Sequence, residues 1–262
     1  MRRSNPEKIN NTDNEGIIEG RNAVIEALRL GVNIDKIFIA DGNTDSTLKH
    51  IASKARSAGA VVVETDRRKL DSMSVTSSHQ GVIAVASFAK YVTIADILGI
   101  AKQRGEEPLI VLCDEISDPH NLGAIIRTCE AAGVHGVIIP KRRNVGINAT
   151  VTKASSGAVF HVAIARVTNL TAAIKELKKA GVWVTAATTD GDKTLWEFDF
   201  NEATAVVIGS EGAGVGRLIG ENCDFKVSIP MSGNLSSLNA SVSAAVLLYE
   251  AVRQRKNKIT AL

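Results

Sequence analysis

Two glycine-rich, polar turns follow two short apolar runs in the last quarter of the chain, and their residue types suit a ligand site. The first run, Ala205-Val-Val-Ile-Gly209, reads as a buried strand and opens into Gly209-Ser-Glu-Gly-Ala-Gly214. Its glycines let the backbone come close to a ligand, and Glu211 supplies a lone carboxylate. The second run, Phe225-Lys-Val-Ser-Ile229, leads through Pro230-Met-Ser-Gly-Asn-Leu-Ser-Ser-Leu-Asn239 into a long amphipathic helix. Neither turn is a usual nucleotide loop. A dinucleotide fingerprint on Gly212 and Gly214 needs a third glycine where Arg217 stands, and no lysine falls where a phosphate loop requires one. A different adenosine ligand, or none, is left.

Upstream, Leu109-Ile-Val-Leu-Cys113 reads as a third buried strand. It runs towards a predicted helix over Leu122–Ala132 with an apolar face of Leu122, Ile125, Ile126 and Cys129. Arg127 lies on that helix. A guanidinium is protonated in practically every protein setting, so it grips a phosphate or stabilises a developing alkoxide better than it removes a proton; a solvated side chain is the plainer alternative. Asn121 stands six residues earlier, about 240° around a helix, so one straight helix would not aim both at one ligand. Asp118-Pro119 with Gly123 instead predicts a turn that leaves Asn121 on a loop, free to orient Glu211 or a substrate, or to cap the helix. Glu211 reads as an anchor for Arg127 or Asn121, or as an exposed loop acid. Ser237 and Asn239 are helix-capping types at the start of the last helix, with Asn239 the stronger functional candidate.

In this order, the three blocks resemble the three motifs of the SpoU branch of the SPOUT RNA methyltransferases. The matches are Asn121, Gly123, Arg127 and Ala131-Ala-Gly133; then Gly209-Ser-Glu-Gly212; then Ile229-Pro230 with Ser236-Ser-Leu-Asn239. Gly20-Arg-Asn-Ala-Val-Ile-Glu-Ala-Leu28, His79-Gln-Gly81 and Ala165-Arg-Val-Thr-Asn-Leu170 look like the bacterial enzymes that methylate guanosine 2′-hydroxyls of large-subunit ribosomal RNA. The resemblance extends from about residue 16 to 258. It implies S-adenosylmethionine as cofactor, ribosomal RNA as substrate and a homodimer built with the last helix, whose apolar stripe is Leu238, Val242, Ala245, Val246, Tyr249 and Val252. It implies Arg127, Asn121, Glu211, Ser237 and Asn239 as catalytic, with an arginine accepting the proton. Ala187, Thr188, Gly209, Glu211, Gly212, Ile229, Met231 and Leu238 would line the cofactor, although Ile229 and Leu238 suit a core equally well. A transfer-RNA substrate or a non-catalytic RNA-binding relative are the alternatives, and intact Asn121, Arg127, Glu211 and Asn239 weigh against the second.

Positioning such loops calls for an α/β fold. The chain has 262 residues, 45% of them hydrophobic and 23% charged, enough for two modest domains. Residues 1–15 are polar and expected to be a disordered tail. Residues 16–90 alternate helices and strands and are expected to bind the RNA substrate, 91–107 to form a linker containing one helix, and 108–262 to form the methyltransferase domain. Strands are predicted near 109–113, 136–140, 160–165, 182–187, 205–209 and 225–229, giving a mostly parallel sheet covered on both faces. Only the resemblance implies a deep C-terminal trefoil knot and a ribosomal-protein-like N-terminal domain. A net charge of +3 does not announce a nucleic-acid binder, so RNA contacts must be local: Arg21, Lys141, Arg142 and Arg143 are the candidates, with the basic stretch Arg253–Lys258. Cys113, Cys129 and Cys223 lack metal-ligand spacing and read as buried thiols of a reducing compartment, and the five histidines do not cluster. No metal, no membrane span and a cytoplasmic location are expected.

Overall fold

The computed structural model describes residues 16–42, 45–87 and 90–260; the tail expected over residues 1–15 lies outside them. The chain divides into two compact units, the first made of the described residues up to Ser87 with the short stretch Ile147–Thr150, the second of the rest.

The first unit runs β1 (Ile17–Glu19), α1 (Arg21–Arg29), β2 (Ile34–Ala40), α2 (Ser46–Ser57), β3 (Val61–Thr65), α3 (Arg67–Met73) and β4 (Val82–Ala86). Asp45 and Asp66 start α2 and α3 by accepting backbone N–H bonds from Thr47 and Lys69. The sheet has the order β1-β4-β2-β3, with β2 and β3 parallel and β4 antiparallel to both of its neighbours. Val24, Ile37, Leu48, Ile51 and Val82 fill its core.

The second unit contains α4 (Ile94–Arg104), β5 (Leu109–Cys113), α5 (Pro119–Ala131), β6 (Gly136–Pro140), the part of α6 (Ala149–Ala154) after Thr150, β7 (Ile164–Val167), α7 (Leu170–Lys179), β8 (Trp183–Ala187), β9 (Lys193–Thr194), β10 (Thr204–Ile208), α8 (Arg217–Asn222), β11 (Phe225–Ser228) and α9 (Ala240–Thr260). Seven strands pair in the order β7-β6-β5-β10-β8-β11-β9, every pair parallel. β5 and β10 are buried at every position, as central strands covered on both faces must be. Because all strands point the same way, the loops that leave β5, β10, β8 and β11 emerge side by side at the carboxyl edge, where open α/β sheets place ligands.

Three expectations need correction. The stretch 91–107 is more than a linker. Thr93 and Asp96 form a reciprocal capping box that starts α4, and its Ile94 and Ile97 join Ile110, Leu112 and Ile138 in the main core. Gly136 makes room for this packing, since a Cβ there would lie 2.5 Å from the Ile97 side chain. The strand expected at 160–165 starts only at Ile164, because Ala158–Phe160 wind into a 3-10 turn behind Gly157, whose φ is +84°. Finally, α5 begins at Pro119 rather than Leu122: the Asp118 carboxylate accepts the His120 N–H at 2.9 Å, and proline at the first helical position has no N–H to satisfy. The short elements β1, α6, β9 and α8 lack a readable period. Among the described residues no helix is long and apolar enough to cross a membrane.

Candidate active site

The turn after β10 folds back on its own strand. Ser210 and Gly214 exchange backbone hydrogen bonds of 3.1 and 2.9 Å, and a Cβ on Gly209 would stand 2.1 Å from the Gly214 carbonyl carbon. Only glycine at 209 permits that closure, and Gly214 completes it with a φ of +66°. Glu211 sits at the tip of this turn.

Two other loops bring amides to the Glu211 carboxylate. Asn121, now in the first turn of α5, donates from Nδ2 to Glu211 Oε1 at 2.8 Å. Asn239 donates from Nδ2 to the same oxygen and to Asn121 Oδ1, the latter at 3.1 Å. Asn239 also caps α9, its Oδ1 accepting from Ser241 N at 2.9 Å and from Ser241 Oγ at 2.7 Å. One amide thus caps a helix with its oxygen and reaches the Glu211 carboxylate with its nitrogen. Ser237 does not cap the helix. Packing of α5 against α9 brings the two asparagines together. Gly123 serves the neighbouring contact, since a Cβ there would meet the Ala154 Cβ at 2.4 Å.

Glu211 fixes Asn121 and leaves Arg127 alone. Arg127 is exposed on α5, and among the described residues it has no hydrogen bond or ion pair. Its guanidinium keeps all five N–H groups available to an incoming anion.

Beside this network lies a cavity of about 350 Å³ lined by Ala187, Thr188, Gly209, Glu211, Gly212, Ile229, Met231 and Leu238, all eight positions expected around the cofactor. Ser237 lines it too, as do Asp190, Val215 and Val227, which sequence reasoning missed. The Thr188 hydroxyl is buried and has no hydrogen-bond partner among the described residues, a costly arrangement unless a ligand completes it. The lining combines apolar side chains, backbone groups of glycine turns and two carboxylates, Glu211 and Asp190, with no Lys or Arg. That donor set repels a polyphosphate and fits a nucleoside carrying a positive charge, as S-adenosylmethionine does at its sulfonium.

The basic candidates are placed separately. In the first unit Arg21 is held by Asp45 at 2.5 Å and donates from Nε to the Gln80 carbonyl at 3.1 Å. Lys141, Arg142 and Arg143 follow β6 on the carboxyl side of the main sheet, and Arg143 pairs with Glu115 at 3.0 Å. His120 is exposed and makes only the backbone contact to Asp118 already described. Burial pushes the Cys113 and Cys223 thiols up to about 12, which makes them poor nucleophiles at neutral pH. Among the described residues no group of three His, Cys, Asp or Glu side chains could hold a metal.

Comparison with known proteins identifies the family. The SpoU rRNA Methylase family matches residues 108–249, and the family of RNA 2'-O ribose methyltransferase substrate binding domains matches residues 17–92. A Bacillus subtilis (strain 168) protein, named as a TrmH family tRNA/rRNA methyltransferase, is 43% identical over 236 residues, 90% of this chain and 94% of its own. Among solved structures, the SpoU methyltransferase AviRb from Streptomyces viridochromogenes in complex with AdoMet is similar with a TM-score of 0.59 at 25% identity, covering 96% of this chain and 95% of that one. An AdoMet-bound rRNA methyltransferase from Sinorhizobium meliloti is similar with a TM-score of 0.56 at 28% identity, covering 90% and 86%. The loop chemistry, the sheet that presents it and these likenesses converge: the chain belongs to the SpoU family of S-adenosylmethionine-dependent RNA 2′-O-methyltransferases.

Proposed function

We propose that this protein methylates the ribose 2′-hydroxyl of a guanosine in large-subunit ribosomal RNA, using the cavity beside Glu211 for its cofactor. The observation that carries the reading is the convergence of three distant loops on Glu211 at the wall of one cavity, with an exposed arginine, unpaired among the described residues, on the helix that supplies Asn121. S-adenosylmethionine, when bound, supplies an electrophilic methyl group. Thr188, the two glycine turns, Ile229, Met231 and Leu238 would hold its adenosine half, and Glu211 and Asp190 its positive charge. Arg127 would grip a phosphate beside the target ribose and stabilise the negative charge that develops on its 2′-oxygen as the hydroxyl proton passes to solvent. Asn121 and Asn239 hold Glu211 in place, and Ser237 stands at the cavity wall as a further polar contact.

Residues 16–90 would select the RNA, with Arg21, Lys141, Arg142 and Arg143 contacting phosphates. Residues 108–262 would do the chemistry, their last third threaded as the deep trefoil knot that the resemblance implies. On α9, Val242, Val246 and Tyr249 are 45%, 36% and 53% exposed. Such an apolar stripe supports a homodimer, which we place in the cytoplasm as part of the same proposal. Light scattering near twice the chain's 27.8 kDa mass is the expected result.

Transfer RNA is the second reading, favoured by the tRNA/rRNA name of the Bacillus subtilis relative. Mapping 2′-O-methyl groups in ribosomal and transfer RNA from cells with and without the protein tests both. Loss of one guanosine methylation in large-subunit RNA is expected; loss confined to transfer RNA overturns the ribosomal assignment.

A further inference from the structure

One buried acid in the second unit has no part in the chemistry described so far. Asp114 follows β5 directly and is only 7% exposed. Its backbone N–H donates to the Ile208 carbonyl at 2.8 Å, which continues the β5–β10 pairing by one step. Its carboxylate Oδ2 accepts the Gly216 N–H at 2.8 Å, a contact across 102 residues of sequence. Gly216 closes the segment that begins at Gly209 and carries Glu211 at its tip. A buried acid whose side-chain hydrogen bond goes to that segment fastens its far end, just as the Ser210–Gly214 pair fastens its base.

We propose that Asp114 is a positioning residue for cofactor binding: its carboxylate ties down the Gly209–Gly216 turn so that the turn's backbone lines the cavity and Glu211 meets Asn121 and Asn239. The proposal rests on the reading of that cavity as the S-adenosylmethionine site. Asp114 does not itself line the cavity, so its influence passes through Gly216. The contact is also tight from the other side, because a Cβ on Gly216 would stand 3.2 Å from Asp114 Oδ2. At Gly216 the φ is −58°, which any residue adopts, so steric pressure on the carboxylate is what a side chain there would bring.

The titratable groups facing Asp114 are Glu115 beside it in the chain, Arg143 from the loop after β6, and the neutral Cys223 thiol at the end of α8. Burial raises the Asp114 carboxyl above its ordinary range, Glu115 raises it further, and the Gly216 N–H and Arg143 oppose them. As the pH falls through that raised value, the acceptor loses its charge and the tie weakens.

The test is calorimetric binding of S-adenosylmethionine by the full-length protein across a pH series, beside thermal melting and single-turnover methylation. Asp114→Ala should weaken binding about 10- to 100-fold, the span of a hydrogen bond to a charged group. Gly216→Ala should weaken it in the same direction although it leaves the carboxylate in place. Asp114→Asn should bind about 5-fold more weakly than wild type at neutral pH, the margin between a charged and a neutral acceptor, and should lose the acid-side fall that wild type shows. A merely structural role would lower the melting temperature without removing that pH dependence. Wild-type affinity in both the Asp114→Ala and Gly216→Ala proteins overturns the proposal, as does an unchanged acid-side fall in Asp114→Asn. If wild type itself fails to bind S-adenosylmethionine, it is the reading of the cavity that fails.

Discussion

Replacing Asn239 separates two jobs that one side chain performs. Its Oδ1 caps α9 through Ser241, and its Nδ2 donates to Asn121 and Glu211. Asn239→Ala removes both. Losing an N-cap costs about 1 kcal/mol, which lowers the melting temperature by roughly 2–4 °C in a chain of this size. Losing the two donated bonds removes about 1 kcal/mol for the neutral one and about 2 kcal/mol for the one to the carboxylate. Because the residue is exposed, solvent recovers part of that sum, so methyl transfer should fall about 10- to 100-fold rather than the roughly 160-fold that the full sum of about 3 kcal/mol would give. Asn239→Asp is the discriminating variant. Aspartate caps a helix as well as asparagine does, so the melting temperature should stay near wild type. At neutral pH, however, it sets a second carboxylate against Glu211. Two such groups cannot both stay charged at this range, so one titrates at a raised value, and activity lost at pH 8 should partly return as the pH falls and a carboxyl O–H replaces the amide N–H. Melting curves and initial rates from about pH 5 to pH 8 measure both effects. An Asp variant with wild-type rates at pH 8, or an Ala variant that melts lower and methylates normally, would refute the claim that Asn239 orients Glu211.

Arg127→Ala should lose at least about 100-fold in methyl transfer, while S-adenosylmethionine affinity and melting temperature stay unchanged because the side chain has no protein partner among the described residues; Arg127→Lys should fail almost as badly, since the ammonium lacks the planar fork. Thr188→Val should weaken cofactor binding about 5-fold in calorimetry while holding or raising stability, because it removes a buried hydroxyl that has no hydrogen-bond partner among the described residues; Thr188→Ser should bind normally. His135 is buried, accepts the Leu109 N–H on Nδ1 at 2.9 Å and faces Glu106 through Nε2 at 3.0 Å. Burial lowers its proton affinity more than Glu106 restores it. The unfolded chain therefore binds the proton first, so the stability His135 contributes is complete above its ordinary value of about 6.5 and is lost as the pH falls below it. Denaturant melts should show a smaller loss between about pH 7 and pH 5 in His135→Gln; an unchanged slope would assign the acid sensitivity elsewhere.

Local pattern alone made much of this protein legible. Runs such as Leu109–Cys113 and Ala205–Ile208 announce buried parallel strands through unbroken apolar, β-branched content, and glycine-rich turns at their ends announce close backbone approach. The order of the three blocks pointed to the SpoU family, which the comparisons establish. The short elements stayed hidden because three or four residues carry no period, and α5 gained a turn because the Asp118 cap acts before the apolar face begins. The linker reading of 91–107 failed because a polar tail, Gln103-Arg-Gly-Glu-Glu-Pro108, outweighed Ile94 and Ile97, whose burial depends on a groove that Gly136 opens across the sheet.

Residue type and spacing determined which side chains could do chemistry; the strand order decided which of them meet. Asn121 and Glu211 are 90 residues apart, Asn239 and Asn121 are 118 apart, and Asp114 and Gly216 are 102 apart. Each pair forms only because β10 lies beside β5 and α9 packs on α5. A hydrogen bond needs its partners within about 3 Å, while periodicity is a statement about neighbours a few residues away. That is why the sequence named Glu211 as an anchor without saying for which partner, and why Asp114, an unremarked acid after a strand, emerged only once the turn it fastens was seen beside it.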